Sequence, residues 1–389
     1  MPVTAYLPPM TTPSARRTSK TFELVPYDPA LGDAITAFNA RLDAGGAPPE
    51  YRLHAGPGPI YIRNQQHGIV EERLFVVDEG QVRGGVHLQV QPFWVDGAVH
   101  TVANIQLPLS EGIVDRQFAF LGMWIIKQVV RRYPRCFALG MGGTDRPLPQ
   151  LLHAMQWAVW PVPFQFRLAN VGRCVRELRA LGPAWRRRLA GGALTATGGS
   201  LVGRAAWAAV AAARMRGVTR LTTRPVTAWE PWADAIWESA RGAYAVIGVR
   251  DATTLRALYP TDETRVRAHA LLDGGRHVGW VALSVRQMSG NVHFGNLRVG
   301  AVIDALTPPG YEAAAALAAT RLLLDEDVDL VVTNQSHPAW RAAFHRAAYL
   351  NARSNYILAP SPQLVPRTAD FERHMLQFTR GDGDGRIHL

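Results

Sequence analysis

The second half of the chain repeats the order of residue patterns in the first half, and this repeat limits the folds that the chain can adopt. Residues 80–105 and 275–297 each contain a turn glycine, an alternating strand, a second turn and a second strand. This pattern is typical of a β-hairpin. Asn104 aligns with Asn296, 192 positions later. A repeat at a nearly constant offset predicts a duplicated structural unit.

The same order continues after each hairpin. A loop with proline and glycine leads into an apolar helix, a short buried strand, a proline-bearing turn, a second helix and a last strand. The predicted ranges are 116–131, 136–141, 147–159 and 164–169 in the first half, and 311–324, 328–334, 338–350 and 354–359 in the second. Each half also opens with a strand that enters a helix. We therefore predict two copies of one unit, each closed by its own last strand.

Length and composition agree with two units. A single core is uncommon at 389 residues, and 48% hydrophobic with 19% charged residues is typical of a globular chain. The predicted divisions are a disordered leader at 1–21, domains at 22–170 and 223–360, a linker at 171–222, and a tail at 361–389 that is a helix with a flexible end. The leader has no apolar run typical of a secretion signal. A cytoplasmic protein is expected, with the inner membrane surface as an alternative location.

The positive charge is concentrated in the predicted linker. Eleven arginines and one acid lie between Arg173 and Arg224, which accounts for nearly all of the net charge of +11. This stretch, residues 173–224, is interpreted as an interdomain helical spacer, or as a surface for anionic membrane or an acidic carrier protein. Only 15 uncharged residues separate Arg188 from Arg204, so a membrane-spanning helix is not expected.

Two cysteines, Cys136 and Cys174, occur without the spacing of a zinc site or a disulfide framework. Both are therefore predicted to be packing residues, and no metal is expected.

The order of predicted elements resembles that of the GNAT (N-acetyltransferase) superfamily, and the tandem pair is similar to FemAB-like double-GNAT proteins. The segment Asn334–Tyr349, NQSHPAWRAAFHRAAY, resembles the family's segment in which an asparagine follows the fifth strand and the next helix ends in a Phe-Tyr pair. Phe344 and His345 stand in the places of that pair. The resemblance implies an α/β fold (α+β mixed sheets), with two tandem GNAT-like domains joined by a basic helical linker.

The resemblance also implies acetyl-CoA or another acyl-CoA as the donor, with its pyrophosphate at backbone N–H groups where a helix begins. The residues expected to bind it are Leu107, Leu109, Arg116, Gln117 and Gly310. The family's Q/R-x-x-G-x-G/A pattern is absent from both loops. The first has bulky residues where glycine is expected, and the second has two prolines, which lack an N–H group. An acyl carrier protein is therefore an alternative donor.

Three residues are candidates for proton transfer. Glu111 follows the fourth predicted strand and is interpreted as a base or as a grip for a cationic substrate; the alternative is a helix-start acid with Ser110 as N-cap. His153 and His345 stand where the family often has a tyrosine general acid. Imidazole can donate a proton near neutral pH. The alternative for both is a helix histidine bonded to a backbone carbonyl.

The candidates for substrate binding are polar residues near strand ends. Asparagine is disfavoured in strands, so Asn104 and Asn296 at matching positions indicate a bulge or a polar cleft. Ser110 lies next to Glu111. The remaining three form a cluster after a buried strand, where ligands of α/β folds often bind, and a helix-capping turn is the alternative: Asn334, Ser336 and His337.

These residues favour an N-acyltransferase that moves an acyl group from a thioester to a small-molecule amine bound between the domains. Two alternatives remain. The first is a non-catalytic GNAT pair that serves as a binding or scaffold module. The second is a Fem-like transferase that uses aminoacyl-tRNA, although no charged heptad insertion is present and nucleic acid is not the expected partner.

Overall fold

The computed structural model describes residues 22–56, 69–178, 192 and 199–383. The predicted leader, most of the basic stretch from 179 to 198 and the last six residues lie outside these ranges. The strands form two mixed sheets, and the helices pack on their faces.

The elements of the first half have the following bounds: β1 (Glu23–Pro26), α1 (Gly32–Ala44), β2 (Val70–Asp78), β3 (Gln81–Val95), β4 (Ala98–Ser110), α2 (Leu121–Arg132), β5 (Cys136–Leu139), α3 (Pro147–Ala154), β6 (Trp160–Pro161) and β7 (Phe164–Leu168). Those that follow are α4 (Val171–Glu177), α5 (Gly199–Arg214), β8 (Thr222–Pro225), α6 (Pro231–Ala240), β9 (Val246–Gly248), α7 (Ala252–Leu258), β10 (Arg267–Asp273), β11 (Arg276–Gln287), β12 (Arg298–Leu306), α8 (Glu312–Leu324), β13 (Leu330–Asn334), α9 (Pro338–Arg346), β14 (Leu350–Ala352), β15 (Ile357–Pro360) and β16 (Leu376–Gln377).

Both sheets have the same centre. An antiparallel meander, β2-β3-β4 or β10-β11-β12, is followed by a helix that returns the chain to a strand parallel to the last meander strand. The crossover helices are α2 and α8, and both bury apolar residues against their sheet. This order confirms the predicted fold class of mixed α/β sheets in two GNAT-like units.

The closing strands are exchanged between the sheets, which corrects the prediction that each unit closes itself. Strand β7 from the first half pairs with β13, with Leu168 opposite Leu330. Strand β15 from the second half pairs with β5, with Leu358 opposite Leu139. A short apolar run predicts a strand that is buried on both faces, but it does not indicate which strand it pairs with. The pairing of β7 and β15 could therefore not be assigned from the pattern. The exchange interlocks the two halves.

The second hairpin is longer than its pattern indicated. Strand β12 begins at Arg298, after a turn that spans Asn291–Gly295. Asn296 lies in the loop that follows this turn, exposed to solvent, and is not a strand residue. Its side chain bonds Glu177 and the backbone N–H of Gly290. The prediction that Asn104 and Asn296 occupy matching strand positions is therefore wrong.

The segment Leu376–Gly383, called the chain end below, is folded into the protein and contains no α-helix, contrary to the prediction of a tail helix. The residues from Leu376 to Gly383 are all buried. Strand β16 pairs with β9, which in turn pairs with β3 of the first sheet. Every strand bond that this segment makes reaches a distant part of the chain, so local sequence carries little sign of it.

Helices α4 and α5 are the described helices of the basic linker, and α5 is the longer. It packs on α9 through Trp207, whose Nε1 donates to the carbonyl of Ala348 at 2.9 Å. Its outer face consists of exposed Ala and Val residues, from Val202 to Ala213. Within the described ranges, no helix is long and apolar enough to cross a membrane. Binding of the linker to a membrane surface or a carrier protein stays a prediction.

Both cysteines are fully buried, and neither forms a disulfide. Burial raises the pKa of Cys136 and of Cys174 to about 12, so neither thiol is a nucleophile at neutral pH. Their prediction as packing residues is confirmed.

Candidate functional site

The parallel strands separate at a bulge in each sheet. In the first sheet, the β3–β4 register shifts where Leu107 and Pro108 are inserted, and Leu107 has a φ of 46°. Pairing of β4 with β5 ends at Ile105 and Ala138. In the second sheet, the β11–β12 register also shifts, and pairing of β12 with β13 ends at Val302 and Thr333. Each sheet therefore contains a gap between its parallel strands.

The gap in the second sheet is filled by the chain end. Thr379 bridges to Gln335 beyond β13 and its Oγ1 donates to Oδ1 of Asp304 in β12 at 3.2 Å. Residues Arg380–Asp382 form a 3-10 helix beside β12. A Cβ atom added at Gly381 would contact the Tyr259 hydroxyl and Asp304. A substrate would therefore have to displace this segment.

A buried ion network holds the segment in place. Arg250 is 2% exposed; its Nε donates to Asp304 at 2.7 Å and its Nη2 to Asp382 at 2.5 Å. Asp304 also accepts from the Tyr259 hydroxyl at 2.8 Å. Burial raises the pKa of Asp304, and Arg250 is the strongest opposing influence. The network joins β12 and the chain end through a single guanidinium group.

The gap in the first sheet has a polar face beside it. Two rows of side chains cross β2, β3 and β4, because directly opposed residues of antiparallel strands point to the same side. The first row consists of Glu71, Gln89 and Asn104, and the second of Arg73, His87 and Gln106. Neighbours such as Ala103 and Ile105 face the other side, in the core under α2. We call these six residues the polar face.

The polar face is largely shielded from water. Gln89 is 2% exposed and Asn104 is 1% exposed. The Nδ2 of Asn104 donates to the carbonyl of Asp382 at 3.0 Å, so the face also touches the chain end. The Oδ1 of Asn104 is buried and has no partner among the described residues. An unpaired buried acceptor is costly, and a hydrogen-bond donor on a ligand would satisfy it.

The polar face contains an acid–imidazole pair. The Nε2 of His87 lies 4.0 Å from Oε2 of Glu71. Burial, together with the positive charge of Arg73 and the nearby His54, lowers the pKa of His87 to about 4. The imidazole is therefore neutral at physiological pH and can accept a proton. A carboxylate and a neutral imidazole side by side are suited to general-base chemistry.

The loops before the two crossover helices differ in their capacity to bind an anion. Helix α2 has no side-chain cap and no acid in its first turn, and its first internal bond is Trp124 N–H to Phe120 at 3.0 Å. The preceding Arg116 and Gln117 are exposed. In the second unit, the N–H of Gly310 donates to the carboxylate of Glu312 at 2.8 Å. A phosphate would meet that negative charge, which argues against the predicted role of Gly310 in cofactor binding.

The carboxylate of Glu111 is buried in ion pairs with two arginines. It is 4% exposed, and its carboxylate accepts from Arg41 Nε at 2.7 Å and from Arg83 Nη1 at 3.0 Å. Both oxygens are therefore held by guanidinium groups that tie α1 and β3 to the end of β4. This arrangement does not favour the predicted role as a base. Ser110 is the N-cap of the short 3-10 helix that follows, but its side chain makes no capping bond.

The two predicted acid histidines are exposed on helix ends. His153 lies in the last turn of α3 and His345 in the last turn of α9. The backbone carbonyls of both residues accept hydrogen bonds, from Gln156 and Ala348. Neither belongs to the polar face or to the second gap. These contacts do not favour a role in proton transfer.

The cluster after β13 binds the chain end instead of a substrate. Asn334 donates to the carbonyl of Pro163 at 3.2 Å and accepts from Arg380 at 2.9 Å. The hydroxyl of Ser336 donates to Leu376 at 2.6 Å. His337 is the N-cap of α9, with Nδ1 accepting from Ala339 at 3.3 Å. The capping alternative therefore describes His337, and all three side chains have structural partners.

His337 gives the fold a sensitivity to acid. Burial lowers its pKa to about 4, below the unfolded value near 6.5. Stability is therefore fully present above about pH 6.5 and falls as the pH drops toward 4, by up to about 1.4 kcal/mol for each pH unit in that window. The variant His337→Asn keeps a capping oxygen and is expected to lose less stability between pH 7 and pH 5 in urea unfolding. An equal loss in both proteins would contradict this assignment.

The sequence pattern did not predict His87 and Glu71 as site residues, because the alternation around them is also typical of an ordinary hairpin. A signal was present, because polar residues occupy alternate positions 87, 89 and 91 of a central strand. On a strand buried on both faces, such a run marks a polar interior. The predicted residues Leu107 and Asn104 do lie at the first gap, whereas Leu109 is 4% exposed in the core beside α1.

Comparison with known proteins gives fold-level similarity only. No protein-family model and no curated protein sequence match the chain. Among solved structures, a GCN5-related N-acetyltransferase from Anabaena variabilis is 9% identical, with 87% of this chain and 72% of that chain covered and a TM-score of 0.49. The N-myristoyltransferase of Saccharomyces cerevisiae with bound myristoyl-CoA is 10% identical, with 91% and 79% covered and a TM-score of 0.47. A probable N-acyltransferase from Enterococcus faecalis is 9% identical, with 87% and 72% covered and a TM-score of 0.47. Identities and TM-scores this low carry no information about the chemistry of this chain.

Proposed function

We propose that the protein is an N-acyltransferase in which the first unit binds an acyl thioester and the polar face binds the amine acceptor. The observation that carries this proposal is the difference between the two gaps. The second gap is filled by Thr379–Asp382, whereas the first is bordered by the polar face with its acid–imidazole pair. One unit therefore serves catalysis and the other supports it.

The residues before α2 fit the donor. Three N–H groups at the start of α2, those of Leu121, Gly122 and Met123, precede the first internal helix bond, and such groups bind phosphate oxygens. Arg116 adds a positive charge on the same loop. Exposed apolar side chains nearby, among them Leu107, Ile113 and Phe120, suit an acyl chain or the pantetheine arm.

The polar face supports the transfer step. A thioester bound at the gap would supply the activated carbonyl carbon. The acceptor nitrogen forms the new C–N bond as the C–S bond breaks, and the amine proton passes to the pair of His87 and Glu71. The leaving thiolate takes up a proton from solvent or from this pair. Removal of the proton keeps the nitrogen nucleophilic as the bond forms.

Direct assays test the proposal. Purified protein is mixed with acetyl-, decanoyl- or myristoyl-CoA and a primary amine, and released thiol and N-acyl product are measured. Thiol release that depends on the amine supports the proposal. Absence of binding and of transfer with every CoA thioester, and also with an acyl carrier protein thioester, would leave the non-catalytic binding module as the better interpretation.

A single substitution tests the donor loop. Met123 is the third residue of α2 and is 38% exposed. Met123→Glu places a negative charge at this helix start, which is favourable for the helix by about 0.3–1 kcal/mol but repels a pyrophosphate. The expected result is a rise in the Kd for acyl-CoA of about tenfold without a fall in Tm. The control Val210→Glu, on exposed α5, should leave the Kd unchanged. A similar effect of both variants would place the donor elsewhere.

A further inference from the structure

Arg380 is a buried cation that has no carboxylate partner among the described residues, and its Cζ lies 5.6 Å from the centroid of the Tyr356 ring. The residue is 8% exposed, and its Nη1 donates to Oδ1 of Asn334 at 2.9 Å. Its Nε is buried without a partner, and no carboxylate of the described residues forms an ion pair with it. Arg250, close by in the fold, shows the usual solution, because two aspartates neutralise it. A buried guanidinium without such partners is costly to the fold.

The second unsatisfied group is the side chain of Asn104 in β4, which contacts the same turn of the chain end. Asn104 donates to the carbonyl of Asp382, and Arg380 begins the 3-10 helix that Asp382 ends. Residues two apart in such a helix are separated by about 4 Å along its axis. The buried Oδ1 of Asn104 requires a hydrogen-bond donor. The Oδ1 of Asn104 therefore needs a donor such as an amine, and Arg380, which lies in the same 3-10 turn as the Asp382 carbonyl that Asn104 contacts, needs an anion.

We propose that the acceptor carries a carboxylate next to its amine, and that an α-amino acid is the substrate class. The carboxylate binds Arg380 and the amine donates to Oδ1 of Asn104, which directs its nitrogen to the polar face. An α-amino acid has both groups on one carbon atom, and a guanidinium fork matches a carboxylate in two parallel bonds. This inference rests on the proposed acyl transfer, and it makes Arg380 a binding residue for specificity.

Matched pairs of acceptors test the inference. Glycine, alanine, leucine and phenylalanine are compared with the amines that lack only the carboxylate: methylamine, ethylamine, 3-methylbutylamine and phenethylamine. With wild-type protein and the acyl-CoA that supports transfer, we expect kcat/KM for at least one amino acid to exceed that of its amine by about 10- to 100-fold. Equal values in all four pairs would overturn the proposal.

Variants of Arg380 separate binding from folding. Arg380→Met should reduce that ratio to about one, while its Tm stays at or above the wild-type value because a lone buried charge is removed. The control Arg373→Met removes an arginine whose side chain is 88% exposed in the same segment and should leave the ratio unchanged. If Arg380→Met does not fold, Arg380→Lys takes its place. That variant keeps the charge without the fork, and an unchanged ratio would overturn the proposal.

Calorimetry distinguishes failure of this inference from failure of the proposed function. The same amino acids are titrated into the protein without any donor. Binding that is lost in Arg380→Met, with no transfer from any thioester, supports the inference and contradicts acyl transfer. Transfer to amines and amino acids at equal rates supports acyl transfer and contradicts the inference.

Discussion

Arg250→Met is expected to lower the free energy of unfolding by about 3–5 kcal/mol. The substitution leaves Asp304 and Asp382 buried and facing each other without their common cation. Both are 2% exposed or less, so water cannot replace the guanidinium. The measurement is equilibrium unfolding in urea at pH 7. A loss of this size is a large fraction of the stability of an ordinary domain.

The pH dependence of this variant identifies the cause. Burial and the neighbouring carboxylate of Asp382 raise the pKa of Asp304, and Arg250 opposes both. The folded-state pKa of Asp304 already lies above the unfolded value near 3.9, and it rises further without Arg250. Stability that depends on a raised pKa is present at low pH and lost as the pH rises. The deficit of Arg250→Met should therefore be smaller at pH 5 than at pH 8.

A surface ion pair provides the control. Arg241 pairs with Glu238 at 2.6 Å, and both side chains are partly exposed. Arg241→Met should cost no more than about 1 kcal/mol. If Arg250→Met lowered the free energy of unfolding by no more than Arg241→Met does, the ion network would not be what anchors the chain end. Another interaction would then hold the chain end in the second gap.

The second large effect concerns catalysis. His87→Gln and Glu71→Gln are each expected to lower kcat by about 100- to 10,000-fold, because each removes one member of the pair that takes the amine proton. Glutamine keeps a polar side chain of similar size on the sheet face. The Kd for acyl-CoA should stay unchanged, since the donor loop is separate. Thiol release at saturating acyl-CoA measures kcat, and calorimetry measures the Kd.

The exposed histidines are the matched controls. His153→Gln and His345→Gln should change the rate by no more than about twofold, as is usual for surface positions. The pH profile adds a further check. Because the pKa of His87 is about 4, the wild-type rate should not fall through protonation of this residue until the pH is well below 6. A large loss in His153→Gln or His345→Gln together with full activity of His87→Gln would contradict the assignment.

Much of the local structure could be predicted from the sequence. The predicted strands at 136–141 and 328–334 correspond to β5 and β13, and the helices predicted to begin at 147 and 338 begin at Pro147 and Pro338. Proline at the first turn and a change from alternating to helical periodicity are local signals. The start of β12 was misplaced because the loop from Met288 to Leu297 contains residues that imitate a strand. Helix α7 and strand β9, between the two patterns, were not predicted.

Less of the candidate site could be predicted. Asn104 and Leu107 were expected near the cleft and lie at the first gap. Glu111 stood out because it follows a strand, but two arginines from α1 and β3 hold it. His87 has a candidate role only because Glu71, sixteen residues earlier on the neighbouring strand β2, lies on the same face. Such neighbourhoods depend on strand register, which a single sequence specifies poorly.

The sequence by itself indicated a repeated order of elements and many of the strands and helices in each half, because periodicity and turn residues act over a few positions. Only the tertiary structure decided which gap the segment Thr379–Asp382 fills. The exchange of β7 and β15 joins residues more than one hundred positions apart. The segment Thr379–Asp382 enters the second gap through contacts of Thr379 with Gln335 and Asp304, which lie 44 and 75 positions earlier. Contacts of this kind depend on the fit of complete buried surfaces, and two nearly identical patterns can therefore have different roles.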